Sequence, residues 1–465
     1  MSFNLVSLGD VADVIDSLHK TPKYADKGWA MVRGTDVRYG YLELENTFKV
    51  DEVIYKEFSR RYCPKKDDIV ITRVGSYGLT ALVNDEVFCL GQNTSAIRPK
   101  INAKYLYLCL NSTFVQQQIE SKVVGTTQKT LSLKAINSLL IPRFSTNQEN
   151  CIANIGWGLN EKIYSNRKIN QILEQMAQAL FKSWFVDFEP VKAKMSVLEA
   201  GGSQADATLA AMTTISGKNA DALAVFEREH PEQYAELKAT AELFPSAMQE
   251  SELGEIPEGW YVSDLSEVAS LNAESWSKKN APESVSYVDL ANTKWGVINS
   301  IETYQFSDAP SRARRILKPH DTIVGTVRPG NGSYSYINKT GLTGSTGFAV
   351  LTPKARVFSE YIYLCVTSNE SIERLAHLAD GGAYPAVNAD VVLSTQCVLP
   401  VERDTREAVL KVFSSRTDMF FSYRANGLSQ NEILSNIRDT LLPKLLSGEI
   451  TLPEAEQAVS EAENV

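Results

Sequence analysis

The sequence lacks the features that would place the protein in a membrane. No stretch of its 465 residues approaches the ~18 uninterrupted apolar residues that a membrane-spanning helix needs. The N-terminus has no basic segment and reaches Asp10 too early for a signal peptide. We therefore expect a cytoplasmic protein without a membrane partner.

Metal-binding and redox patterns are also scarce. The chain has six cysteines and four histidines, all far apart, and no C-x-x-C pair. Because closed zinc sites use ligands paired at short spacing, no metal site is expected. We expect the cysteines to be small buried thiols in a reducing compartment.

Catalytic motifs are missing as well. The chain contains no G-x-x-x-x-G-K-[ST] loop, no G-x-S-x-G turn and no strand–G-x-G-x-x-G–helix unit, although residues 330–332 and 341–347 are rich in glycine. It also lacks the Asn-Pro-Pro-Tyr or Asp-Pro-Pro-Tyr string that is typical of amino-methyltransferases. The sequence therefore predicts a protein that catalyses no reaction itself.

The net charge of −9 is unevenly distributed. Residues 196–258 carry twelve acids and three bases, and residues 449–465 carry five acids and no base. The remaining chain has 44 bases against 39 acids and is mildly basic. Because phosphate contacts need local positive charge rather than a basic protein, DNA stays open as a partner.

The chain contains an internal repeat of domain size. Four segments recur in the same order, and the second copy of a segment lies 253 to 258 residues after the first. This period is too long for a solenoid and indicates a duplicated module. The matched segments are 5–12 with 261–269, 68–75 with 321–328, 105–112 with 361–368, and 140–142 with 398–400.

Each repeat follows the same plan. Its first ~145 residues read as β-rich, with short β-branched runs bounded by Gly, Asn or Pro and a helical segment near 104–118 or 360–377. Each repeat closes with a long helical pattern, of which residues 154–186 would span roughly 50 Å. Gly427 and Pro443 are expected to interrupt the second pattern.

The two long helical patterns carry apolar stripes. Such a stripe packs either on the core of its own domain or against a partner helix, and one stripe in each repeat favours the second alternative. The stripe residues, at spacings of three or four, are Ile169, Ile172, Leu173, Met176, Leu180 and Trp184 in the first repeat, and Ile433, Ile437, Leu441 and Leu445 in the second. The acidic stretch 196–258 between the repeats reads as a solvated helical insertion.

Several strings together resemble a known family. They are Ile-Pro-Glu-Gly-Trp at 256–260, Leu-Phe-Lys-Ser-Trp-Phe-Val-Asp-Phe at 180–188, Leu-Leu-Pro-Lys-Leu-Leu-Ser-Gly-Glu-Ile at 441–450, Gly-Thr-Thr-Gln-Lys at 125–129 and Gly-Ser-Thr-Gly-Phe-Ala-Val-Leu at 344–351. Taken together in their order along the chain, and in both halves, they resemble the DNA-specificity subunit of type I restriction–modification enzymes. The resemblance covers nearly the whole chain except the acidic insertion.

The resemblance implies an α+β fold with an internal pseudo-twofold duplication. Two β-rich target-recognition domains would each be followed by a long helix, and the two helices would pack antiparallel as a spacer. The rival architecture is a single continuous α/β enzyme, which the repeat disfavours. The implied division is a first target-recognition domain (1–150), a first spacer helix (151–195), the acidic insertion (196–255), a second target-recognition domain (256–403), a second spacer helix (404–448) and an acidic tail (449–465).

The resemblance also implies partners. The chain would bind double-stranded DNA with a bipartite asymmetric target, two methyltransferase subunits and the restriction endonuclease-translocase subunits. S-adenosylmethionine, ATP and magnesium would bind only to those partner subunits. A structural adaptor without sequence readout is the alternative function. The residues expected to dock partners are Ile169, Leu173, Met176, Leu180, Trp184, Ile433, Ile437 and Leu441.

Candidate DNA-binding residues lie in polar loops that differ between the repeats. Arg suits guanine, Asn and Gln suit adenine, and exposed Arg suits phosphate. For any one of these residues, an ordinary turn or a solvated charged face is the alternative. The candidates are Arg33, Thr35, Arg73, Ser76, Tyr77, Asn93, Thr94, Gln128 and Lys129 in the first repeat, and Arg312, Arg314, Arg315, Arg328, Asn331, Tyr334, Ser345, Thr346 and Tyr384 in the second.

Overall fold

The computed structural model describes residues 3–45, 47–125, 129–277, 279–382 and 384–463. The chain divides into two compact units. Unit 1 comprises 1–169 and 426–465, and unit 2 comprises 170–425. Gln128, one of the predicted DNA-binding residues, lies outside the described residues.

The described residues of the first part of the chain form nine strands and five short α-helices. The strands are β1 (Asn4–Ser7), β2 (Ala12–Asp16), β3 (Trp29–Val32), β4 (Phe48–Val50), β5 (Ile69–Thr72), β6 (Thr80–Leu82), β7 (Phe88–Leu90), β8 (Thr94–Pro99) and β9 (Leu140–Arg143). The helices are α1 (Leu8–Val11), α2 (Glu52–Phe58), α3 (Ala103–Leu110), α4 (Thr113–Lys122) and α5 (Leu133–Asn137).

The rest of the chain contains the long helices and the second set of strands. The helices are α6 (Thr146–Phe185), α7 (Glu189–Glu199), α8 (Gln204–Ser216), α9 (Ala220–Glu229), α10 (Pro231–Glu242), α11 (Ser359–Val366), α12 (Asn369–His377), α13 (Ala389–Leu393), α14 (Arg403–Ser447) and α15 (Leu452–Glu463). The strands are β10 (Met248–Ser251), β11 (Gly254–Pro257), β12 (Trp260–Asp264), β13 (Ala269–Leu271), β14 (Ser284–Val288), β15 (Thr293–Lys294), β16 (Val297–Ile298), β17 (Glu302–Gln305), β18 (Ala313–Leu317), β19 (Thr322–Gly325), β20 (Tyr334–Tyr336), β21 (Leu342–Ser345), β22 (Phe348–Pro353) and β23 (Gln396–Pro400).

The sheets repeat between the two units. Unit 1 has a four-stranded antiparallel sheet in the order β2-β8-β5-β6, a three-stranded sheet β4-β3-β7 and the pair β1-β9. Unit 2 has the matching sheet β13-β22-β19-β20, the sheet β17-β14-β21-β18 and the pair β12-β23. The parallel pairing of β3 with β7 recurs as that of β14 with β21. The fold is therefore α+β, and the predicted duplication is confirmed at the level of sheet topology.

Each unit has a core in which a sheet is covered by a short apolar helix. In unit 1 the buried residues Tyr105–Leu110 of α3 pack with Trp157 of α6 and with Leu442 and Leu446 of α14. In unit 2 the buried residues Tyr361–Val366 of α11 pack with Trp184, Phe185 and Phe413. Four of the six cysteines are buried as expected, Cys151 is half-buried and Cys63 is exposed.

The long helices α6 and α14 supply residues to both units. In unit 1, Asn160 contacts Arg438 and Asn166 contacts Asn431, and in unit 2 Glu174 contacts Arg424. Asn160–Arg438 is followed by Asn166–Asn431 in unit 1, and Glu174–Arg424 is followed by Phe181–Phe413 in unit 2, so the two helices run antiparallel within each unit. The seam in unit 1 is partly polar, since the Asn166 amide donates to Asn431 and Gln430.

Two expectations for these helices are wrong in detail. Helix α6 begins at Thr146 rather than near 154, so its 40 residues extend over roughly 60 Å. Helix α14 runs without interruption through Gly427 and Pro443. A helical glycine costs only about 1 kcal/mol, and burial of Leu442, Leu445 and Leu446 beside the proline offsets the hydrogen bond that it removes.

The acidic insertion forms a small helical layer with its own buried side chains. Helices α8, α9 and α10 agree with the helical character predicted for this stretch from the sequence. Met212, Leu223, Leu237 and Phe244 are buried in the core of unit 2. The insertion is therefore packed on one side as well as solvated on the other. Among the described residues, no helix is both long and apolar enough to cross a bilayer.

Candidate DNA interface

Two groups of loops occupy corresponding ends of the repeated sheets. The first loop group consists of segments 33–36, 73–78 and 91–93 with Lys129, and lies where β3 and β5 end and β8 begins. The second loop group consists of segments 289–296, 326–333, 345–347 and 384–387, and lies where β14 and β19 end and β22 begins.

The backbone of the first loop group is fixed by three hydrogen bonds. The Arg73 amide donates to the Asn93 carbonyl, and the Leu131 amide donates to the Arg73 carbonyl, both at 2.8 Å. The Gly91 amide donates to the Val32 carbonyl at 2.8 Å. These bonds bring segments that are far apart in sequence to one end of the sheet.

The second loop group repeats two of these backbone connections. The Thr326 amide donates to the Gly347 carbonyl, and the Val387 amide donates to the Thr326 carbonyl, both at 2.9 Å. Thr326 corresponds to Arg73 in the repeat, and Gly347 occupies the place of Asn93. The two groups therefore share a backbone frame that carries unlike side chains.

Two predicted arginines of the first loop group are held by carboxylates. The Arg73 guanidinium pairs with Asp16 at 2.5 Å and also donates to the Leu131 carbonyl. Arg33 pairs with Asp36 through two guanidinium nitrogens and lies 3.7 Å over the Phe48 ring. Burial opposes ionisation of Asp16, but the hydrogen bond from His19 and the charge of Arg73 lower its pKa. Both arginines therefore order the loops.

A polar cluster at the rim of the first loop group joins Tyr77, Glu120 and Lys129. The Tyr77 hydroxyl donates to Glu120 at 2.5 Å, and the Lys129 ammonium donates to Glu120 at 2.6 Å and to the Tyr77 oxygen at 3.3 Å. The hydrogen bond from Lys129 lowers the pKa of Glu120, which is fully solvated. This cluster brings together two residues that the sequence analysis had singled out separately.

The exposure of the remaining candidates in the first loop group differs. Thr35, Ser76 and Asn93 are exposed, and Asn93 has a φ of 67°, a left-handed conformation that Asn adopts more readily than most residues. Thr94 is fully buried, and its hydroxyl donates to the Gly91 carbonyl. A side chain enclosed in this way has no surface to offer a base, so Thr94 is better described as a support for the turn.

Exposed residues of the second loop group surround a short 3-10 turn. Arg328 lies 4.8 Å over the ring of Tyr384, which is 72% exposed, and the Arg328 amide donates to the Pro385 carbonyl. Asn331 and Thr346 are exposed beside them. Tyr334 and Ser345 are buried in β20 and β21, so these two predicted residues support the sheet and present no surface to a ligand.

The predicted arginine cluster at 312–315 is less uniform than its sequence indicates. Arg312 has a side chain that is 62% exposed, and its carbonyl accepts a hydrogen bond from Thr346. Arg314 is half-buried and lies 4.8 Å over the Phe306 ring. Arg315 is half-buried as well, and burial lowers its pKa. Arg312 is therefore the member of the cluster best placed to meet a phosphate.

One residue of the second loop group was missed by the sequence analysis. Trp295 is 57% exposed in the turn between β15 and β16, and its ring lies edge-on to Tyr334. A detectable signal was present, because Lys294-Trp295-Gly296 lies 256 residues after Arg38-Tyr39-Gly40. An aromatic residue before glycine thus recurs in both repeats.

The predicted partner-docking residues of the long helices divide by exposure. Ile169, Met176 and Ile433 are exposed, at 52%, 48% and 37%, as is the neighbouring Ile172. Trp184 is fully buried in the core of unit 2, where its ring packs on Phe244 and Phe413, so it is not available for docking. The half-buried residues are Leu173, Leu180, Ile437 and Leu441. In the described ranges, no group of three or more His, Cys, Asp and Glu is arranged to hold a metal ion.

Comparison with known proteins identifies the family. A family model described as the type I restriction modification DNA specificity domain matches residues 2–175. The chain is 30% identical over 408 residues to the HindI type I restriction enzyme specificity subunit of Haemophilus influenzae. This match covers 83% of this chain and 87% of that protein. It is 22% identical over 417 residues to the MjaIX specificity subunit of Methanocaldococcus jannaschii, covering 87% and 82%.

A solved structure is also similar. It is the crystal structure of the S subunit of a type I restriction–modification system from M. genitalium, with 14% identity, a TM-score of 0.46 and 96% of each chain covered. On the relationship to the Haemophilus protein, the chain belongs to the type I restriction–modification DNA specificity subunits. It is the non-catalytic component that recognises DNA in such a complex, which also contains methyltransferase and restriction subunits.

Proposed function

We propose that the first and second loop groups each read one half of a bipartite, asymmetric DNA sequence. The observation that carries this proposal is the shared backbone frame with unlike side chains, Arg73 and Asn93 in one unit against Thr326 and Gly347 in the other. Base identity is read by side-chain groups at base edges, while the backbone and phosphate contacts fix position. A duplicated frame with different side chains suits two half-sites of different sequence.

The exposed residues and the half-buried Tyr77 are assigned the direct contacts. Asn93 and Asn331 have the amide groups that pair with adenine, and Tyr77, Tyr384 and Thr346 add hydroxyl and aromatic edges. Thr35, Ser76, Lys129, Arg312 and Arg328 supply donors for phosphates and bases. Arg33 and Arg73 act as positioning residues, because Asp36 and Asp16 already engage their guanidinium groups.

The partner assembly is proposed to contain two methyltransferase subunits. A chain with two related units offers two related surfaces, and the exposed apolar residues Ile172 and Met176 of α6 are suited to burial against a partner. S-adenosylmethionine, ATP and magnesium are expected to bind to the methyltransferase and restriction subunits. A cytoplasmic location is part of the same proposal.

The test is selection from a randomised DNA library by the complex of this chain with its methyltransferase. Asn93→Gly keeps the left-handed backbone and removes the amide, and Asn331→Ala removes the amide of the second loop group. Each variant should relax preference in a different half of the site, at ~1–3 kcal/mol for a lost base contact. Asn338→Ala is the matched control, because exposed Asn338 lies at the other end of β20. If Asn93→Gly altered preference in both halves, the proposal would be wrong.

A further inference from the structure

The turn Lys294–Gly296 and the turn Arg38–Gly40 are equivalent parts of the duplicated frame. Both glycines have positive φ, 79° at Gly296 and 116° at Gly40. Gly40 accepts a hydrogen bond from Leu82 beside β6, and Gly296 accepts one from Ser335 in β20. The two turns therefore rest on corresponding strands of their own units, and their aromatic residues, Tyr39 and Trp295, can be compared directly.

Tyr39 is directed into unit 1. Its hydroxyl accepts a hydrogen bond from the Asn160 amide, and the guanidinium of Arg438 lies 4.8 Å from its ring centroid. The Tyr107 ring is 5.4 Å away. Burial raises the pKa of Tyr39, in accord with this enclosed position.

Trp295 has the opposite placement in unit 2. Its side chain is 57% exposed, and its φ of 48° is a left-handed conformation that is rare for a bulky residue. The position beneath the turn is occupied by Arg424, which donates to the Gly296 carbonyl at 2.8 Å. The indole instead covers Gly332, where an added Cβ would lie 2.5 Å from the ring.

The conformation of Trp295 is imposed by its neighbours. Its amide donates to the Gly332 carbonyl at 2.7 Å, and the Gly296 amide donates to the Tyr334 carbonyl at 2.9 Å. A strained backbone that presents a large apolar side chain to solvent persists only where the surrounding structure holds it, and such positions concentrate at functional sites. The exposed ring of Trp295 on a strained backbone therefore indicates contact with a ligand of the second loop group.

The surroundings of Trp295 favour DNA as that ligand. Gly332 under the indole ends the turn that contains Asn331, and Arg328, which lies over the Tyr384 ring, begins it. Lys294, the preceding residue, holds its ammonium 2.8 Å from the Ser333 hydroxyl and adds positive charge at the base of the turn. An exposed apolar ring on a loop group that also carries Lys294 and Arg328 matches a polyanion whose bases offer apolar edges and faces.

We infer that Trp295 makes an apolar contact with bases of the half-site that the second loop group reads. This inference rests on the proposed function and extends it to a specificity-determining residue of the second loop group whose side chain is apolar. Trp295 and Tyr39 would then account for part of the difference between the two half-sites, because Tyr39 is enclosed and Trp295 is presented to the DNA.

The test uses Trp295→Gly and Trp295→Phe in the complete complex with methyltransferase. Glycine adopts the positive φ without strain, so Trp295→Gly removes the ring while preserving the turn. We expect Trp295→Gly to lower affinity for the specific site by about tenfold or more and to relax preference in one half only, and Trp295→Phe to restore much of both. Trp29→Ala is the control, since Trp29 is 41% exposed at the start of β3, the opposite end of that strand from the first loop group.

The outcomes separate this inference from the proposed function. If Asn331→Ala relaxes one half-site and Trp295→Gly does not, the role of Trp295 is overturned and the assignment of the second loop group stands. If neither variant changes preference, the assignment itself fails. If Trp295→Gly releases the methyltransferase while the free chain keeps its DNA preference, Trp295 contacts a protein and the inference is overturned.

Discussion

Arg424 of α14 forms an ion pair with Glu174 of α6 inside unit 2, with Nη1 and Oε2 2.7 Å apart. The same guanidinium donates to the Gly296 carbonyl at 2.8 Å and to the Tyr363 hydroxyl at 3.3 Å. Burial opposes the charge of Arg424, but Tyr363 and Glu174 raise its pKa nonetheless. One buried cation thus links both long helices to the turn that carries Trp295.

The first prediction concerns this ion pair. Arg424→Met leaves Glu174 without its partner and the Gly296 carbonyl without its donor, so it should lower the free energy of unfolding by about 3 kcal/mol. We take the lower end of the range for a buried pair because the Glu174 side chain is 21% exposed. Urea unfolding followed by circular dichroism measures the effect.

The matched control for Arg424 lies on the same helix. Arg403 pairs with Glu407 at 2.9 Å, but its side chain is 82% exposed. Arg403→Met should therefore cost at most about 1 kcal/mol. Equal losses from the two substitutions would show that burial does not set the strength of the Arg424 contact.

The second prediction concerns Asp321, whose carboxyl is buried at the start of β19. Burial raises the pKa of Asp321 above its ordinary value of 3.8, although the Lys318 amide opposes the shift. A raised folded-state pKa means that the folded protein holds the proton more tightly than the unfolded chain. This stabilisation is complete below the ordinary value and is lost as the pH rises through the folded-state pKa.

Asp321→Asn isolates this effect. The neutral amide keeps an oxygen for the Lys318 amide and removes the buried charge, so the variant should gain stability over wild type as the pH rises from acid to neutral. The measurement is the difference in unfolding free energy between the two proteins at several pH values. A difference that stays constant with pH would contradict the prediction.

The third prediction concerns nonspecific affinity. Arg312→Ala should weaken binding to all DNA sequences alike and reduce the slope of log affinity against log salt by about one, because it removes one phosphate contact. Lys218→Ala, an exposed cation on the acidic insertion, is the control and should leave the slope unchanged. The idea fails if Arg312→Ala changes preference among sequences but not the salt slope.

The fourth prediction concerns methyltransferase docking. Ile172→Lys and Met176→Lys place charges on exposed apolar residues of α6 and should reduce co-purification of the methyltransferase at least about tenfold, since burying an unpaired charge is costly. Val225→Lys, at a site 41% exposed on the acidic insertion, is the matched control. Undiminished co-purification of both α6 variants would exclude this part of the helix from the interface.

The sequence reveals the features that depend on local pattern. The repeat, the short strands of its two β-rich parts and the helical character of the insertion follow from periodicity and turn residues, and the structure confirms them. The start of α6 was placed too late, although Ser145 and Gln148 mark it by reciprocal hydrogen bonds between side chain and backbone, and packing of Trp157 maintains the helix through Gly156 and Gly158.

Side-chain partners were harder to predict than elements. Arg73 reads as a free cation in the sequence, yet its carboxylate partner Asp16 lies 57 residues earlier. Trp184 belongs to an apolar stripe by spacing, but the stripe does not reveal that Phe244 and Phe413 enclose it. Contacts between distant segments decide which side chains remain exposed, and no local pattern records them.

The division of the chain has a consequence for its synthesis. Unit 2 is one continuous segment, 170–425, whereas unit 1 also needs 426–465. Leu442 and Leu446, which are made long after Tyr105 and Trp157, complete the core around those two residues. A nascent chain therefore carries an open apolar surface in unit 1 until the end of α14 has been made.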